Sequence, residues 1–571
     1  MLQEGCMVEK NFWYKKCAQW PTARGSSPQN LLSYSHGAST VPLLGETIGE
    51  NLRKTTQKFP KRDALIVISQ NYRANYEQLW HEITMVAKGL LYLGVRKGDR
   101  IGIWSPNRYE WVVTQYAIAR IGAILVSINP SYRINELKYV LNQSGIKLVI
   151  APKCYRTSEY EQLLHQVKSD CHNLEKIIIL ENDWNHLITL GNKVSDEELD
   201  QIESHLQFDD PVNIQYTSGT TGYPKGVTLS HHNILNNGFF TGKRFNFSEN
   251  DRICIQVPFY HCSGMVMGNI TCTSIGACII VPSETFDAEK VMKTVQEEKC
   301  TSLSGVPTMF ISQLEHKNFH KYDFSSVRVG VMGGSTCPTE TLMQIKNKMN
   351  IKEFGTCYGS TETSPVITQT FVNDSLEKRT TTAGKAHDHV EIKIVHPETG
   401  EILRRGEVGE VCTRGYHVMM GYWNNTEETM KTIDQSRWLH TGDLGTMDSE
   451  GYLNIVGRIK EMIIRGGENI YPKEIEEFLR KHPLISDVQV IGVPSRIYGE
   501  EVMAWIKLKS NSIQISEKEL NDFCKNQISH YKIPKYWKFI QEFPMTVTGK
   551  IRKGEMKEIS VQELNLKNEK V

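Results

Sequence analysis

The stretch Tyr216–Val227 reads YTSGTTGYPKGV, and its composition suits neither a helix nor a strand. Its glycines let the backbone turn sharply and approach a ligand closely. Its hydroxyl side chains and free backbone N–H groups can surround phosphate oxygens, and Lys225 adds a positive charge. The stretch therefore predicts a phosphate-binding loop, with a flexible surface loop as the alternative.

The sequences on either side place this loop between two regular elements. Residues 211–215 (PVNIQ) are typical of a short strand, and residues 229–235 (LSHHNIL) are typical of the start of a helix. A glycine-rich turn that leads from a strand into a helix is a phosphate-binding geometry. The Walker pattern places Ser or Thr after its lysine, whereas Gly226 follows Lys225. We therefore expect a phosphate-binding loop that differs from the ordinary nucleotide-hydrolysing kind.

The composition is that of a globular protein with a large core. The chain has 571 residues, of which 39% are hydrophobic and 23% are charged, and its net charge is +1. This balance gives no indication of nucleic-acid binding. The 13 cysteines include no C-x-x-C pair, which favours reduced thiols over a disulfide framework or a zinc site. No apolar run is long enough to predict a membrane span.

Short apolar strands alternate with helical patterns over the large first part of the chain. The helical pattern at 76–93 places Leu79, Ile83, Val86 and Leu90 on one face. This alternation predicts βα units around a parallel sheet, with ligands bound beyond the carboxyl ends of the strands. The strands are predicted at 64–68, 100–104, 123–128, 148–151, 279–282, 301–306 and 327–332, and further helices at 111–121 and 136–143.

The two ends of the chain differ from this alternating part. Residues 1–40 are polar and irregular and predict a mobile leader that could carry a targeting signal. Residues 457–471 (GRIKEMIIRGGENIY) are compatible with a link between domains or with a basic β-hairpin. Beyond them, Pro472 suits the first turn of a helix. A compact α+β unit is predicted there, with strands at 488–493 and 502–508, a helix at 520–528 and a hairpin turn at 548–550.

A second dense motif is Tyr358–Pro365 (YGSTETSP). The ring of Tyr358 can stack on adenine, and Thr361 can bond a phosphate. Glu362 offers the hard oxygen ligand that magnesium prefers together with phosphate oxygens. The N-terminus of an ordinary helix would look similar, so the motif gains weight only from its order after the phosphate loop.

Three weaker patterns suggest further contacts with a ligand. Gly333-Gly334-Ser335 follows a predicted strand and would let a flat ligand lie against the backbone, although a plain turn reads the same way. Asp443, in Thr441-Gly442-Asp443, has two oxygens that suit the two hydroxyls of a ribose. His261 lies among aromatic residues and could equally be a buried core histidine.

These motifs, in this order, resemble the adenylate-forming (AMP-binding) superfamily of acyl-CoA synthetases, peptide-synthetase adenylation domains and luciferases. The resemblance covers roughly residues 44–552. It implies an α/β fold with a large N-terminal domain of mixed and parallel sheets flanked by helices, and a small, mobile α+β C-terminal domain. We expect a leader at 1–40, the large domain at 41–459 and the small domain at 460–571, with a hinge at Lys460.

The resemblance also implies roles for individual residues. Lys550, Thr221 and His261 would be catalytic, Glu362 would hold Mg²⁺, and Arg465, Gly466 and Gly467 would lie beside coenzyme A. The implied contacts with ATP or AMP are Thr217, Ser218, Gly219, Thr220, Thr221, Gly222, Tyr223, Pro224, Lys225, Gly333, Gly334, Ser335, Tyr358, Gly359, Thr361, Glu362, Asp443, Arg458 and Lys550.

The activity that the resemblance implies is fatty acid–CoA ligation. ATP, a carboxylic acid and coenzyme A would give an acyl-CoA, AMP and pyrophosphate through an acyl adenylate. Phrases such as MIIRGGENIYP are most like the mitochondrial medium-chain group, which implies a medium-chain acid and the mitochondrial matrix. The leader carries Glu4 and Glu9, unlike a typical import sequence, so the cytoplasm is the alternative location.

Other activities remain open at this stage. An adenylation enzyme could pass the acyl group to a carrier protein, a luciferase-like oxygenase could oxidise the adenylate, and a regulatory protein could bind a nucleotide without catalysis. We expect only small-molecule partners, with no nucleic acid and no membrane span, and the sequence does not indicate an oligomeric state. Gly264, Gly333, Gly334 and Gly359 are expected to leave room for an alkyl chain.

Overall fold

The structure is a computed structural model that describes residues 32–217, 224–333, 339–510, 515–525, 527–546 and 551–566. The strands of these residues are, in chain order, β1 Tyr34–His36, β2 Asp63–Val67, β3 Tyr72–Asn75, β4 Arg100–Ile103, β5 Ile124–Ser127, β6 Leu148–Ala151, β7 Lys176–Ile179, β8 Pro211–Thr217, β9 Lys225–Ser230, β10 Arg252–Ile255, β11 Cys278–Val281, β12 Ser302–Gly305, β13 Val329–Met332, β14 Glu353–Gly359, β15 Val366–Gln369, β16 Lys385–Ala386, β17 Val390–Val395, β18 Gly409–Gly415, β19 Gly421–Tyr422, β20 Leu439–Met447, β21 Leu453–Arg458, β22 Ile463–Arg465, β23 Glu468–Ile470, β24 Ile485–Ser495, β25 Gly499–Leu508 and β26 Tyr536–Ile540.

The α-helices of the same residues are, in chain order, α1 Ile48–Lys58, α2 Tyr76–Tyr92, α3 Tyr109–Arg120, α4 Ile134–Ser144, α5 Tyr160–Lys168, α6 Leu180–Leu190, α7 Asp196–Ser204, α8 His231–Arg244, α9 Cys262–Gly264, α10 Thr271–Ile275, α11 Ala288–Glu297, α12 Pro307–Leu314, α13 Thr339–Lys348, α14 Leu376–Thr381, α15 Thr426–Thr432, α16 Pro472–Leu479, α17 Glu517–Cys524 and α18 Lys553–Glu563. A π-helical turn, Met265–Ile270, joins α9 to α10.

Two large sheets form the first part of the molecule. Sheet A has seven strands in the order β19-β9-β8-β5-β4-β6-β7, and sheet B has nine in the order β16-β15-β14-β13-β12-β10-β11-β2-β3. The strands from β8 to β7 in sheet A, and from β14 to β2 in sheet B, are parallel to their neighbours. Antiparallel strands lie outside these parallel cores.

Apolar helices pack between the two sheets. One buried cluster joins Leu79 and Ile83 of α2 and Tyr116 of α3 to Leu125 of sheet A and Ile279 of sheet B. The helical spacing of these residues gives each helix an apolar face that can only be buried against a sheet. The strands are buried on both faces for the same reason, and β5 and β6 are buried along their whole length.

Two smaller sheets follow in the chain. Sheet C is antiparallel, in the order β1-β17-β18-β20-β21. Sheet D contains β23-β22-β25-β24, with β26 parallel to β25. Helices α16 and α17 share one apolar cluster with sheet D, and α18 belongs to another that also contains residues of β24 and β25. Residues from β22 onward therefore form an α+β unit with its own core.

The predicted fold class is confirmed, since mixed α/β sheets are followed by an α+β unit. The boundaries of the predicted large and small domains stay predictions. The prediction of a mobile leader at 1–40 does not hold for all of these residues, because Tyr34–His36 pair with β17 and belong to sheet C. The helix predicted at 520–528 ends at Cys524. No helix in the described ranges has the length and apolar character that a membrane crossing needs.

Candidate active site

The predicted phosphate loop connects two antiparallel strands. Strand β8 pairs with β9 so that Thr217 lies opposite Lys225, and we call β8, β9 and the residues between them the phosphate hairpin. Ser218, Gly219, Thr220, Thr221, Gly222 and Tyr223 lie outside the described residues, so their predicted contacts stay predictions. Pro224 is described, and its carbonyl accepts a hydrogen bond of 3.1 Å from the hydroxyl of Tyr139.

The helix predicted to start within residues 229–235 begins at His231, but the predicted direct passage from loop to helix is wrong, because strand β9 lies between them. The segment KGVTLS continues as a strand because β9 pairs with β8 on one side and β19 on the other. Helix α8 starts only after Ser230, whose hydroxyl accepts a hydrogen bond from the N–H of Asn233 and caps the helix. The predicted phosphate loop therefore lies between two paired strands and does not lead directly into α8.

Lys225, at the base of the phosphate hairpin, is held by an acid. Its ammonium group contacts the carboxylate of Glu428 in α15 and lies 5.1 Å from the centre of the Tyr422 ring. Hydrogen bonds from Lys225 and Lys431 lower the pKa of Glu428 to about 2, so Glu428 is ionised at neutral pH. The sequence motif predicted Lys225 but not this partner.

Glu362 lies in a short 3₁₀ turn, Thr361–Thr363, that follows β14. The hydroxyl of Tyr422 donates a hydrogen bond of 3.1 Å to one carboxylate oxygen of Glu362. The carbonyl of Glu362 accepts a hydrogen bond of 2.9 Å from the N–H of Met419. Because Tyr422 lies in β19, which pairs with β9, it connects the predicted metal ligand to the phosphate hairpin.

Tyr358, Asp443 and Arg458 form a second group, which we call the ribose group. The hydroxyl of Tyr358 donates a hydrogen bond of 2.7 Å to Asp443, and Nε of Arg458 lies 3.0 Å from the other oxygen of the same carboxylate. Asp443 and Arg458 are paired directly across β20 and β21. Burial raises the pKa of Asp443, although Arg458 and the Tyr358 hydroxyl favour its ionised form.

His261 lies just beyond β10, beside the phosphate hairpin. Its Nδ1 lies 3.0 Å from the hydroxyl of Ser263 and also accepts a hydrogen bond from the Ser263 N–H. The next residue, Cys262, is buried, and its thiol lies 3.1 Å from the side-chain oxygen of Gln215 in β8. This contact joins the segment that contains His261 to the phosphate hairpin. The sequence did not predict that Cys262 and Gln215 would make it.

The glycines that were expected to leave room for an alkyl chain pack closely instead. A Cβ atom on Gly264 would lie 2.3 Å from the carbonyl oxygen of Pro258, and one on Gly359 would lie 1.7 Å from that of Pro365. A Cβ on Gly333 would approach the sulfur of Cys357 to 2.8 Å. These glycines are required because neighbouring segments touch them, so they do not indicate an acyl pocket. Gly334 and Ser335 lie outside the described residues.

The residues predicted near the hinge and coenzyme A belong to a short hairpin. Lys460 lies in a 3₁₀ turn, Ile459–Glu461, between β21 and β22. Gly466 and Gly467 form the turn between β22 and β23 with positive φ angles of 59° and 88°. Nε of Arg465 lies 2.6 Å from the carboxylate of Glu501 in β25, which explains this arginine structurally. The coenzyme A contacts stay predictions.

The hairpin turn predicted at 548–550, with Lys550 as its catalytic lysine, lies outside the described residues and stays a prediction. On either side of it, Met545 and Ile551 form an antiparallel bridge.

The parallel strands explain why distant motifs meet. His261 follows β10, Gly333 follows β13, and Tyr358 lies at the carboxyl end of β14, all in sheet B. Ligands of such sheets bind at this edge. In sheet A, β8 of the phosphate hairpin has its carboxyl end at Thr217, next to the predicted loop. The ribose group adds Asp443 and Arg458 from sheet C. Among the described residues, this arrangement places the ammonium group of Lys225 at the phosphate hairpin and the carboxylate of Asp443 in the ribose group.

Family models identify the class of protein to which this site belongs. Residues 52–423 match the model of the AMP-binding enzymes, and residues 474–550 match that of the AMP-binding enzyme C-terminal domain. The chain belongs to the AMP-binding enzyme family, and it has the adenylate-forming fold.

Individual relatives cover nearly the whole chain. The Bacillus subtilis protein YngI is 44% identical over 544 residues, which are 92% of this chain and 99% of YngI. The mitochondrial medium-chain acyl-CoA ligase ACSF2 of Rattus norvegicus is 43% identical over 94% of this chain and 91% of its own. Among solved structures, the anthranilate CoA ligase AuaEII in complex with anthranoyl-AMP has a TM-score of 0.82 and 25% identity, covering 92% of this chain and 99% of that one.

Proposed function

We propose that this protein is a fatty acid–CoA ligase that forms AMP and pyrophosphate. A carboxylate attacks the α-phosphate of ATP, pyrophosphate leaves, and an acyl adenylate results. The thiol of coenzyme A then attacks the acyl carbonyl and displaces AMP. The observation that carries the proposal is the ribose group, in which Asp443 is held by Tyr358 and Arg458 in a member of the AMP-binding family. A relative named as an acyl-CoA ligase supports the choice of acceptor.

The first step must bring two anions together. At about 4 Å and an effective dielectric constant near 20, their repulsion is roughly 4 kcal/mol. Lys225 can bind the departing phosphates when their oxygens displace the carboxylate of Glu428 from its ammonium group. Lys550 is proposed to neutralise the charge that develops in the transition state.

Glu362 fits the role of a magnesium ligand. It is only partly buried, and the hydroxyl of Tyr422 occupies one of its oxygens and fixes the carboxylate. Magnesium prefers one or two carboxylates together with phosphate oxygens, which matches a single acid near a phosphate loop. Bound Mg²⁺ would supply positive charge to the phosphate oxygens of ATP.

The second step needs a thiol, and coenzyme A is proposed to supply it. Burial raises the pKa of Cys278 and that of Cys357 to about 12, so these thiols stay protonated. The α+β unit is proposed to rotate about Lys460, which withdraws Lys550 and admits the pantetheine arm.

The acyl chain and the location in the cell are finer proposals. A medium-chain fatty acid is proposed because the rat relative is named as a medium-chain ligase. The mitochondrial matrix is proposed on the same ground, and the cytoplasm is the alternative.

The test measures AMP release by the full chain with ATP, Mg²⁺ and straight-chain acids from acetate to palmitate, with and without coenzyme A. We expect release that requires coenzyme A and is greatest at a medium chain length. Release of pyrophosphate that does not respond to coenzyme A would replace the ligase by an adenylation enzyme with another acceptor. Activity only on short or long acids would overturn the medium-chain proposal but not the ligase.

A further inference from the structure

Three side chains of metal-binding types meet on one face of sheet C, and we call them the Glu-Cys-His cluster. Nδ1 of His440 lies 2.8 Å from a carboxylate oxygen of Glu410 and 3.5 Å from the sulfur of Cys412. The three ligand atoms lie within 4.8 Å of one another. In the part of the chain that the structure describes, no other three His, Cys, Asp or Glu side chains come together in this way.

The pairing of β18 with β20 creates the cluster. Glu410 and Cys412 are two residues apart on β18, so both side chains point to the same face. Cys412 lies directly opposite His440, which therefore shares that face. The pairing shifts register between Glu410 and Cys412, and Gly442, with a φ angle of 70°, lies in the part of β20 opposite this shift.

We propose that Glu410, Cys412 and His440 bind a zinc ion. A nitrogen, a sulfur and an oxygen ligand are the three donor types that zinc takes in proteins, and three protein ligands leave a fourth position for water. The other oxygen of Glu410 accepts a hydrogen bond of 3.1 Å from the N–H of Gly442, so one oxygen stays directed at the cluster. Asp434 lies 3.7 Å from Nε2 of His440, on the side of the ring that outer carboxylates of zinc sites occupy.

The charges around the cluster favour a cation. Two carboxylates face the ring of His440, since Glu410 lies 2.8 Å from Nδ1 and Asp434 lies 3.7 Å from Nε2. Lys393 lies opposite Cys412 on β17, but its ammonium group lies 4.4 Å from the centre of the Trp438 ring. Zinc would bind Cys412 as a thiolate and His440 as a neutral imidazole, which are the forms in which these side chains ligate metals.

The cluster is continuous with the nucleotide site. Glu410 binds the N–H of Gly442, and the next residue is Asp443 of the ribose group. An ion that fixes Glu410 would also fix this turn.

The test uses the full chain after removal of metals with a chelator. Cobalt(II) is added as a probe, because a thiolate ligand gives it a charge-transfer absorption, and zinc is then added to displace it. We expect the band in the unchanged protein, its loss in Cys412→Ser and its retention in Cys154→Ser, which alters an exposed cysteine. Absence of the band in the unchanged protein, or its survival in Cys412→Ser, would overturn the proposal.

A second variant guards against a folding defect, since Cys412 is fully buried. His440 is 33% exposed, so His440→Gln disturbs the core less. His440→Gln removes one of the three ligands and should bind zinc at least tenfold more weakly than the unchanged protein, as measured by competition with a chelator of known zinc affinity. Equal zinc affinity in both proteins would overturn the site. The cobalt absorption and the zinc affinity are both independent of the ligase reaction, so failure of the ligase proposal would not alter them.

Discussion

The carboxylate of Asp443 is fixed from two directions before any nucleotide arrives. Tyr358 comes from β14 and Arg458 from β21, and each occupies one oxygen of the carboxylate. This arrangement leaves the remaining lone pairs of both oxygens in a defined direction, which suits the two hydroxyls of a ribose. The phenol is the neutral partner of the two, so its removal tests the hydrogen bond without changing the net charge.

Tyr358→Phe is expected to raise the KM for ATP about tenfold, because a hydrogen bond to a charged group contributes about 1.5–3 kcal/mol. The pKa of Asp443 is already raised by burial, and loss of the phenol should raise it further. The carboxylate accepts ribose hydroxyls best when ionised. The affinity for ATP should fall as the pH is lowered through the pKa of Asp443, and this fall should occur at higher pH in the variant. Steady-state kinetics against pH measure both effects.

The KM for the fatty acid serves as the control in that experiment and should stay within about twofold. An unchanged KM for ATP together with an unchanged pH profile would mean that Tyr358 does not support Asp443 in the ribose group.

The ion pair between Lys225 and Glu428 predicts a competition. Phosphate oxygens must displace Glu428 to bind Lys225, so Glu428→Gln should lower the KM for ATP. Because water screens an ion pair at the surface, the change should be small, at most about fivefold. Glu427→Gln is the matched control, because Glu427 contacts Lys431 on the same helix and no contact with Lys225 is found among the described residues. A higher KM for ATP in Glu428→Gln would show that the acid positions the lysine instead.

At the scale of secondary structure, most elements follow from local patterns. Strand β6 has the predicted bounds, and α2 ends one residue before the predicted end. Pro472 lies in the first turn of α16 as predicted. These segments bury one face or both, so the period of their apolar residues is visible in the sequence. The segment after the phosphate loop was misjudged because its strand character comes from pairing with β8 and β19.

The sequence indicated Tyr358, Asp443 and Arg458 as separate motifs, but their contact depends on how β14, β20 and β21 come together. Tyr422, Glu428 and Glu410 carry no motif of their own, since each acts through a partner far away in the chain. The Glu-Cys-His cluster was missed for the same reason, because His440 lies 28 residues from Cys412 and only strand pairing joins them.

The pairing of β19 with β9 indicates a positioning role for Tyr422. Its two residues pair with β9, so the hydroxyl of Tyr422 holds Glu362 at a fixed distance from the phosphate hairpin. Tyr422→Phe keeps the ring beside Lys225 but removes this hydrogen bond, and we expect the Mg²⁺ concentration for half-maximal activity to rise about threefold to tenfold. Glu362→Gln should raise it further. A magnesium titration that is the same in all three proteins would exclude both roles.

At the scale of the whole molecule, the α+β unit follows β21 through a link of four residues, 459–462. Lys473 of α16 donates a hydrogen bond of 2.5 Å to the carbonyl of Ile455, and Lys553 of α18 lies 3.5 Å from Glu461. These contacts are polar and lie beside the link. A short link with a few polar contacts is compatible with rotation of the unit, because such contacts are readily exchanged for water.

Rotation predicts that the two half-reactions depend on Lys550 differently. Lys550→Ala should reduce formation of the acyl adenylate by about 100-fold or more, since it removes a positive charge directed at the transition state. Conversion of preformed acyl adenylate and coenzyme A into acyl-CoA should stay within about threefold of the unchanged protein, because the lysine is withdrawn in that step. Rapid-quench assays of each half-reaction measure the two rates separately.

Lys553→Ala provides the matched control, because it removes a nearby lysine that contacts Glu476 and Glu461. It should leave the chemistry of adenylation intact and act, if at all, on both half-reactions through the position of the unit. Equal loss of both half-reactions in Lys550→Ala would contradict withdrawal of the lysine, because a residue that leaves the site between the steps cannot contribute equally to both.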